Sequence, residues 1–486
     1  MSRPAPELVT MSEQVTGRGA VGVVAAAAPQ AASAAAAVLA DGGNAFDAAV
    51  TAALAETVLL PPKCGLGGDL IAICRLAGEP APRALIAVGG AADGHAAVAR
   101  AGTWRDVGPD SVGPPAAAAG YAALSALGTF DRAHHAAAAR RLALDGFAWA
   151  AVCTRLSEMA TDLVAEMHPE GTVYYPGGAP IPAGTLVQLP GLAAVLDEWV
   201  ARGEHMLDGP VGDAIVAAVT ARGGALRATD FAHARAEWLP CAATDIDGRT
   251  VWATPAPTHG PSLLWAMQRY AEQATDQRTG ASLHRAVMDA IAEQRATLGD
   301  PGGTSIVSAA DRLGNVVVIV HSNSYPRFGS GIVVPEYQLP LANRAGRGFT
   351  PEEGHPNFPV AGRRPATTLH AWAVSDTGGA VEFMGGTPGG ANQLPWNAQS
   401  LARILAGERR TGRLVTSPIW EWLPDDDGIR FEDGVDDQET FHVDGRTLHI
   451  GRWGCRSAQQ VVRVASNGAA WEAAADPRTV GLALGV

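Results

Sequence analysis

The 486-residue sequence predicts an α+β protein in which two sheets are stacked between layers of helix, a four-layer αββα arrangement. Three observations carry this. Strand runs such as "NVVVIV" (315–320) are continuously apolar, as in sheets covered on both faces. Alanine-rich stretches before residue 60 carry apolar residues at spacings of 3 and 4, the period of a helix. After Thr304 the texture turns to strand–turn–strand units, with no repeat of fixed period and no long low-complexity linker.

Taken in order, "PQAASAAAAVLADGG" reads as a helix closed by Gly42 and Gly43, and "NAFDAAVTAALAETVLL" as a helix capped by Asn44. "PPKCGLGGDLIAICRL" supplies a proline and glycine turn and then a strand from Leu70 to Leu76. Residues 130–235 read as mostly helical, with breaks at "YYPGGAPIPAG" and "TARGGALRATD". "TSIVSAA", the turn "DRLGN" and "VVVIVHSN" form a hairpin. "TTLHAWAVSDTGGAVEFMGG" repeats that pattern, and the last strands fall in "RTLHI" and near "AAADPRTVGLALG".

Composition narrows the function. A formal charge of −13 disfavours nucleic acid and anionic membrane as partners, since both reward clustered Lys and Arg. The five cysteines are odd in number and scattered, so a disulfide framework is not expected. Glu7 and Glu13 precede the first apolar run, which lacks the basic start of a signal peptide. The reading is therefore a cytoplasmic protein. The histidines, adjacent at His134 and His135 and otherwise scattered, lack metal-ligand spacing, and no metal or other cofactor is expected. Gly65, Gly67 and Gly68 lack the Lys-Ser/Thr pair of a phosphate loop and read as a structural turn. Asp47 reads as a structural hydrogen-bonder, and Asp425 to Asp427 as a solvated charge run.

In "GDPGGTSIVSAADRLGN" (299–315), Thr304 stands directly after two glycines at the threshold of a strand. By itself this is the composition of a turn. With "GGNAFDAA" at 42–49, "GLGGD" at 65–69, "TPAPTHGP" at 254–261, and "FGSGIVVP", "RRPATT", "GGTPGG" and "ADPR" following in order, the chain resembles the γ-glutamyltransferase (γ-glutamyltranspeptidase) family of N-terminal-nucleophile hydrolases. The likeness spans nearly the whole chain and is nearer to the family's acylase and antibiotic-biosynthesis branches. It implies a proenzyme that cuts itself between Gly303 and Thr304. The fragments, 1–303 and 304–486, would stay together as a heterodimer forming one compact αββα unit.

The resemblance also implies roles: Thr304 as nucleophile, Gly389 and Gly390 as oxyanion hole, Ser322 or Asn323 as support for the Thr304 hydroxyl, and Thr367 and Thr368 at the substrate site. The freed α-amino group, with an ordinary pKa of roughly 8, would serve as base without a histidine. Arg344 is a candidate substrate clamp, with Arg347, Arg363, Arg364 and Lys63 as alternatives, and Trp396 is a candidate pocket wall. Two departures bear on substrate: Gly89 stands where the family places its carboxylate-binding arginine, and Gly348 where it places the acid that meets the substrate amine. The expected activity is hydrolysis or transfer of a small non-γ-glutamyl acyl group. Carbon–carbon bond hydrolysis in actinobacterial secondary metabolism, conventional γ-glutamyl transfer, and an inactive unprocessed homologue acting as a binding protein are the alternatives.

Overall fold

The computed structural model describes residues 15–297, 304–425, 427–464 and 470–486. Two seven-stranded antiparallel sheets dominate it. The first runs, edge to edge, through Leu482–Gly485, Gly22–Ala26, Ser305–Asp311, Val316–Ser322, Asp69–Arg75, Arg83–Ala87 and Glu237–Pro240. The second runs through Thr16–Gly19, Trp471–Ala475, Gln460–Arg463, Val381–Gly386, Ala371–Ser375, Arg249–Ala253 and Ala242–Ile246.

Side-chain alternation, with its period of two, sorts the core into three slabs. Val23, Ala25, Ile71, Ile73, Ile306, Val316, Val318 and Val320 of the first sheet meet Ala371, Ala373, Met384, Val462 and Ala473 of the second. The opposite face of the first sheet, including Val24, Leu70, Val307, Ala309, Val317 and Ile319, is covered by the helices Pro29–Ala40 and Ala45–Leu59 and their neighbours. The outer face of the second sheet, with Val251, Trp372, Val374, Phe383 and Val461, is covered by the helices Gly260–Ala271 and Gln393–Leu405. This is the expected αββα stack, with the continuous apolar strands in both sheets explained by cover on both sides.

Local signals are met where they were strongest. Asn44 accepts from the N–H groups of Phe46 and Asp47 while Asp47 accepts from that of Asn44, a reciprocal capping box. Gly42 follows the helix Pro29–Ala40 at φ +94°, a conformation that costs glycine nothing. The expected strand at 70–76 runs Asp69–Arg75. "RTLHI" does form a strand, Thr447–Ile450, but it joins a separate three-stranded sheet with Trp420–Leu423 and Gly428–Glu432. Asp425 is exposed, and Asp426, the centre of the expected charge run, lies outside the described residues.

Candidate active site

Register fixes the site. Ser305 lies opposite His321 in the antiparallel pair, so the preceding residue, Thr304, falls beside Ser322. Alternation sends Ser305 and His321 toward the helices, and Thr304 and Ser322 toward the face shared with the second sheet. Thr304 is 1% exposed, and its hydroxyl donates to Ser322 Oγ at 3.4 Å. Ser322 Oγ also accepts the N–H of Ser324 at 2.8 Å and Arg344 Nη2 at 3.4 Å. Arg344 in turn pairs through Nε with Asp69 Oδ2 at 2.7 Å. Burial pushes the Asp69 carboxyl up, against the opposing pull of Arg344 and the Gly89 N–H.

In the structure Ser322, and not Asn323, stands at the Thr304 hydroxyl. Asn323 turns away, donating its side-chain amide to Pro61 O at 3.2 Å and its backbone N–H to Lys63 O at 2.8 Å, so it braces the "PPKCGLGG" turn. Arg344 is engaged as well. At 3% exposure and bound to Asp69, Arg344 is a support for Ser322 rather than a free clamp. The other arginines are also engaged: Arg347 with Asp106, Arg363 with the carbonyls of Pro356 and Phe358, and Arg364 with Glu237.

The helix side of the strand Ser305–Asp311 carries a network that the sequence analysis did not single out. Glu56, fully buried, accepts from Ala27 N at 2.6 Å, Ser305 Oγ at 2.6 Å and His321 Nε2 at 2.9 Å. His321 Nδ1 lies 2.6 Å from the Tyr121 hydroxyl. The signal was present: "AFDAAVTAALAETVL" is apolar or small on nearly every face, as a helix buried all round would be, and a glutamate there requires partners. Asp47 is structural, as expected. Burial alone would raise its pKa, but hydrogen bonds from His135 and the N–H groups of Thr129, Phe130 and Asn44 hold it below the usual range.

The second sheet brings its own turn toward this point. Gly386 ends the strand Val381–Gly386 close enough that an added Cβ would stand 3.0 Å from Ile306 Cδ1. Three residues on, Gly389 and Gly390 adopt φ +147° and +61°. Among the described residues neither N–H donates to a protein acceptor, leaving two adjacent donors on a partly exposed turn. Trp396 lies beneath Gly389, where any Cβ would come within 2.2 Å of the indole, and is itself 2% exposed. It props the turn rather than walling an open pocket. Thr367 and Thr368 are both buried. Thr367 donates its N–H to Pro257 O at 3.0 Å, and the Gln393 amide N–H groups donate to Thr368 O at 3.3 Å and Thr387 O at 3.1 Å, tying Thr368 to the helix after the glycine turn.

The nearby histidines are held neutral. His370 donates Nδ1–H to Thr368 O at 2.7 Å and accepts from Asn397 at Nε2, and burial lowers its pKa to about 4. Burial, with His370 and Arg344 near it, drives His259 well below its ordinary value. Gly65, Gly67 and Gly68 form the structural turn expected of them: a Cβ on Gly68 would meet Ser322 O at 2.3 Å, and one on Gly67 would meet Pro340 O at 2.3 Å. Gly89 and Gly348 are equally closed. A Cβ would lie 1.8 Å from Pro114 O at the first, and 2.7 Å from Pro365 Cβ and 2.8 Å from Ala366 O at the second.

Comparison with known proteins places these features in a family. The γ-glutamyltranspeptidase family model matches residues 31–302 and 268–486. The chain is 24% identical to the glutathione hydrolase-like YwrD proenzyme of Bacillus subtilis (strain 168), covering 92% of this chain and 95% of that protein. It is 25% identical to the acylase ACY 1 proenzyme of Pseudomonas sp. (strain SE83), covering 86% of each. Among solved structures, cephalosporin acylase from Bacillus halodurans superposes with a TM-score of 0.83 at 23% identity, over 100% of this chain and 98% of that one. LmbA2991T421A superposes with a TM-score of 0.84 at 22% identity, over 97% and 99%. The αββα stack is the N-terminal-nucleophile hydrolase fold, and the chain is an enzyme of the γ-glutamyltranspeptidase family.

Proposed function

We propose that the protein is a self-processing hydrolase, with transfer as a side capacity, that carries a small non-γ-glutamyl acyl group as an ester on Thr304. The observation that carries this reading is the Thr304 hydroxyl set 3.4 Å from a Ser322 Oγ that Arg344 and Asp69 hold in place. In processing, Thr304 Oγ1 attacks the carbonyl of Gly303, which lies outside the described residues. The peptide N–C bond breaks as the ester forms, and water then releases a Gly303 carboxylate and a free Thr304 amine. In turnover, that amine takes the hydroxyl proton, Oγ1 bonds to the substrate acyl carbon, and the proton leaves on the departing amine. The exposed N–H groups of Gly389 and Gly390 suit the oxyanion formed at each step, a role worth 10²–10³ in rate for one donor in comparable sites.

The substrate limit comes from Gly89 and Gly348. Contact at 1.8 Å and 2.7 Å means that neither position holds a side chain without backbone movement, so the missing arginine and acid are built into the packing. A zwitterionic γ-glutamyl group finds no paired charges at those two positions.

The test is intact mass of freshly purified wild type beside Thr304→Ala. Fragments of 303 and 183 residues in the wild type and one chain in the variant are expected. A single uncut chain in both would overturn self-processing and favour the binding-protein alternative.

A further inference from the structure

Alternation along the strand Gln460–Arg463 turns Val461 to the outer helices and Val462 to the slab between the two sheets, so Gln460 faces that slab as well. It is 2% exposed. A primary amide among Val, Ile, Ala and Met side chains is costly to bury unless both of its ends are bonded, and here both are. Nε2 donates to Ile306 O at 2.8 Å, and Oε1 accepts the Ser308 hydroxyl at 3.2 Å. The orientation of the amide follows from these partners, because a backbone carbonyl only accepts. Gln460 thus hydrogen-bonds from one sheet to the other, two residues from Thr304.

That bond falls where strand pairing ends. Ser305–Asp311 pairs with Gly22–Ala26 only from Val307 onward, with Val307 opposite Ala26. One step further Ile306 falls opposite Ala27, which sends its N–H to Glu56 at 2.6 Å. On this edge the first residues are therefore held by side chains. Glu56 takes the Ser305 hydroxyl from the helix layer, and Gln460 takes the Ile306 carbonyl from the second sheet. Cleavage before Thr304 would make this end a chain terminus, and termini fray unless tied down. Gln460 is also joined to the other half of the site. Its backbone lies opposite Gly386, which ends the strand three residues before Gly389 and whose missing side chain lets Ile306 approach.

We infer that Gln460 is a positioning residue that fixes the Thr304 end of the first sheet against the Gly389–Gly390 turn of the second. The inference rests on Thr304 being the nucleophile. Gln460 acts through Ile306 on one side and Gly386 on the other, so the attacking hydroxyl and the two N–H donors share one frame. A displacement of about 1 Å between reacting groups can cost about 10²-fold in rate, which is the scale on which one lost cross-sheet bond matters.

The test follows cleavage before Thr304 in the freshly translated full chain by intact mass, with the urea midpoint of each variant measured alongside. Gln460→Met roughly keeps the volume and loses both bonds. Val462→Ala, two residues along the same strand and facing the same slab, removes packing and leaves both bonds in place. Gln460→Met is expected to cleave at least about tenfold more slowly, and Val462→Ala to stay within about twofold of the wild type even where its midpoint falls as far. Gln460→Glu gives a readout that loss of stability does not mimic. Its carboxylate cannot donate to Ile306 O, whereas the protonated acid can, so its rate relative to the wild type is expected to be higher at about pH 6 than at about pH 9. Should Gln460→Met fail to fold, that pH dependence decides. Gln460→Met slowed no more than Val462→Ala, or a Gln460→Glu ratio that stays flat over this range, would overturn the positioning role and leave Thr304 standing. A wild-type chain that remains uncut would instead overturn the Thr304 reading beneath it.

Discussion

Glu56 offers the sharpest perturbation of the strand Ser305–Asp311 that leaves Thr304 itself untouched. Its carboxylate receives three hydrogen bonds, at 2.6, 2.6 and 2.9 Å, one of them from the residue directly after Thr304. Replacing it with alanine strands the Ala27 N–H, the Ser305 hydroxyl and the His321 N–H in a dry interior. A buried donor left without its charged acceptor costs about 1–3 kcal/mol, and part of the total returns because the carboxylate's own desolvation is removed. A net loss of about 3–5 kcal/mol is expected for Glu56→Ala. Glu56→Gln should cost about 2 kcal/mol. With its carbonyl kept toward Ser305 and His321, its NH2 faces the Ala27 N–H, donor against donor. The assay is the urea midpoint of each variant together with the rate of precursor cleavage, since a Ser305 freed from Glu56 loosens the register that sets Thr304 beside Ser322. Variants that unfold and process as the wild type does would refute the network as the anchor of the strand.

Two further outcomes follow from the same packing. Gly89→Arg installs the residue type that the family resemblance places there, yet the 1.8 Å approach of Pro114 O means the backbone must move. A loss of about 1–3 kcal/mol in unfolding and no gain of γ-glutamyl-anilide hydrolysis are expected. A stable variant that acquires that activity would show the pocket open after all. Acid should destabilise the fold through buried neutral histidines: burial lowers His95, His284 and His370 each to about 4, below the unfolded value near 6.5. The unfolded chain then binds protons that the folded chain refuses, so stability is complete above about pH 6.5 and is lost as pH falls toward 4, by up to about 3 kcal/mol for each histidine. Flat unfolding midpoints across that window would refute this.

Much of this was legible in the chain because the relevant signals are local. Asn44 and Asp47 write their capping box within four residues, and "NVVVIV" announces a strand with cover on both sides. The order of glycine-rich motifs located Thr304 and the Gly389–Gly390 turn, since glycines mark places where backbone approaches backbone or φ turns positive. Partners distant in sequence stayed hidden. Nothing near Arg344 says that Asp69, 275 residues away, will neutralise it, and nothing near Ser305 points to Glu56, 249 residues away.

The placement of Thr304 is a consequence of strand register rather than of any single contact. Because successive side chains alternate, Ser305 can reach Glu56 on the helix side only if Thr304 and Ile306 point the other way, toward the second sheet and its glycine turn. The partner strand repeats the logic, with His321 turned to Glu56 and Ser322 to Thr304. Sliding either strand by one residue would exchange the two sets, turning an apolar residue toward the second sheet's glycine turn and Thr304 into the helix layer. The Glu56–Ser305–His321 network penalises that slip by leaving a buried carboxylate unpaired, while the apolar faces penalise it by exposing Val and Ile to the wrong slab. A polar lock on one side of the sheet therefore orients the Thr304 hydroxyl on the other. This is why residues with no route to the substrate still govern where the hydroxyl of Thr304 stands.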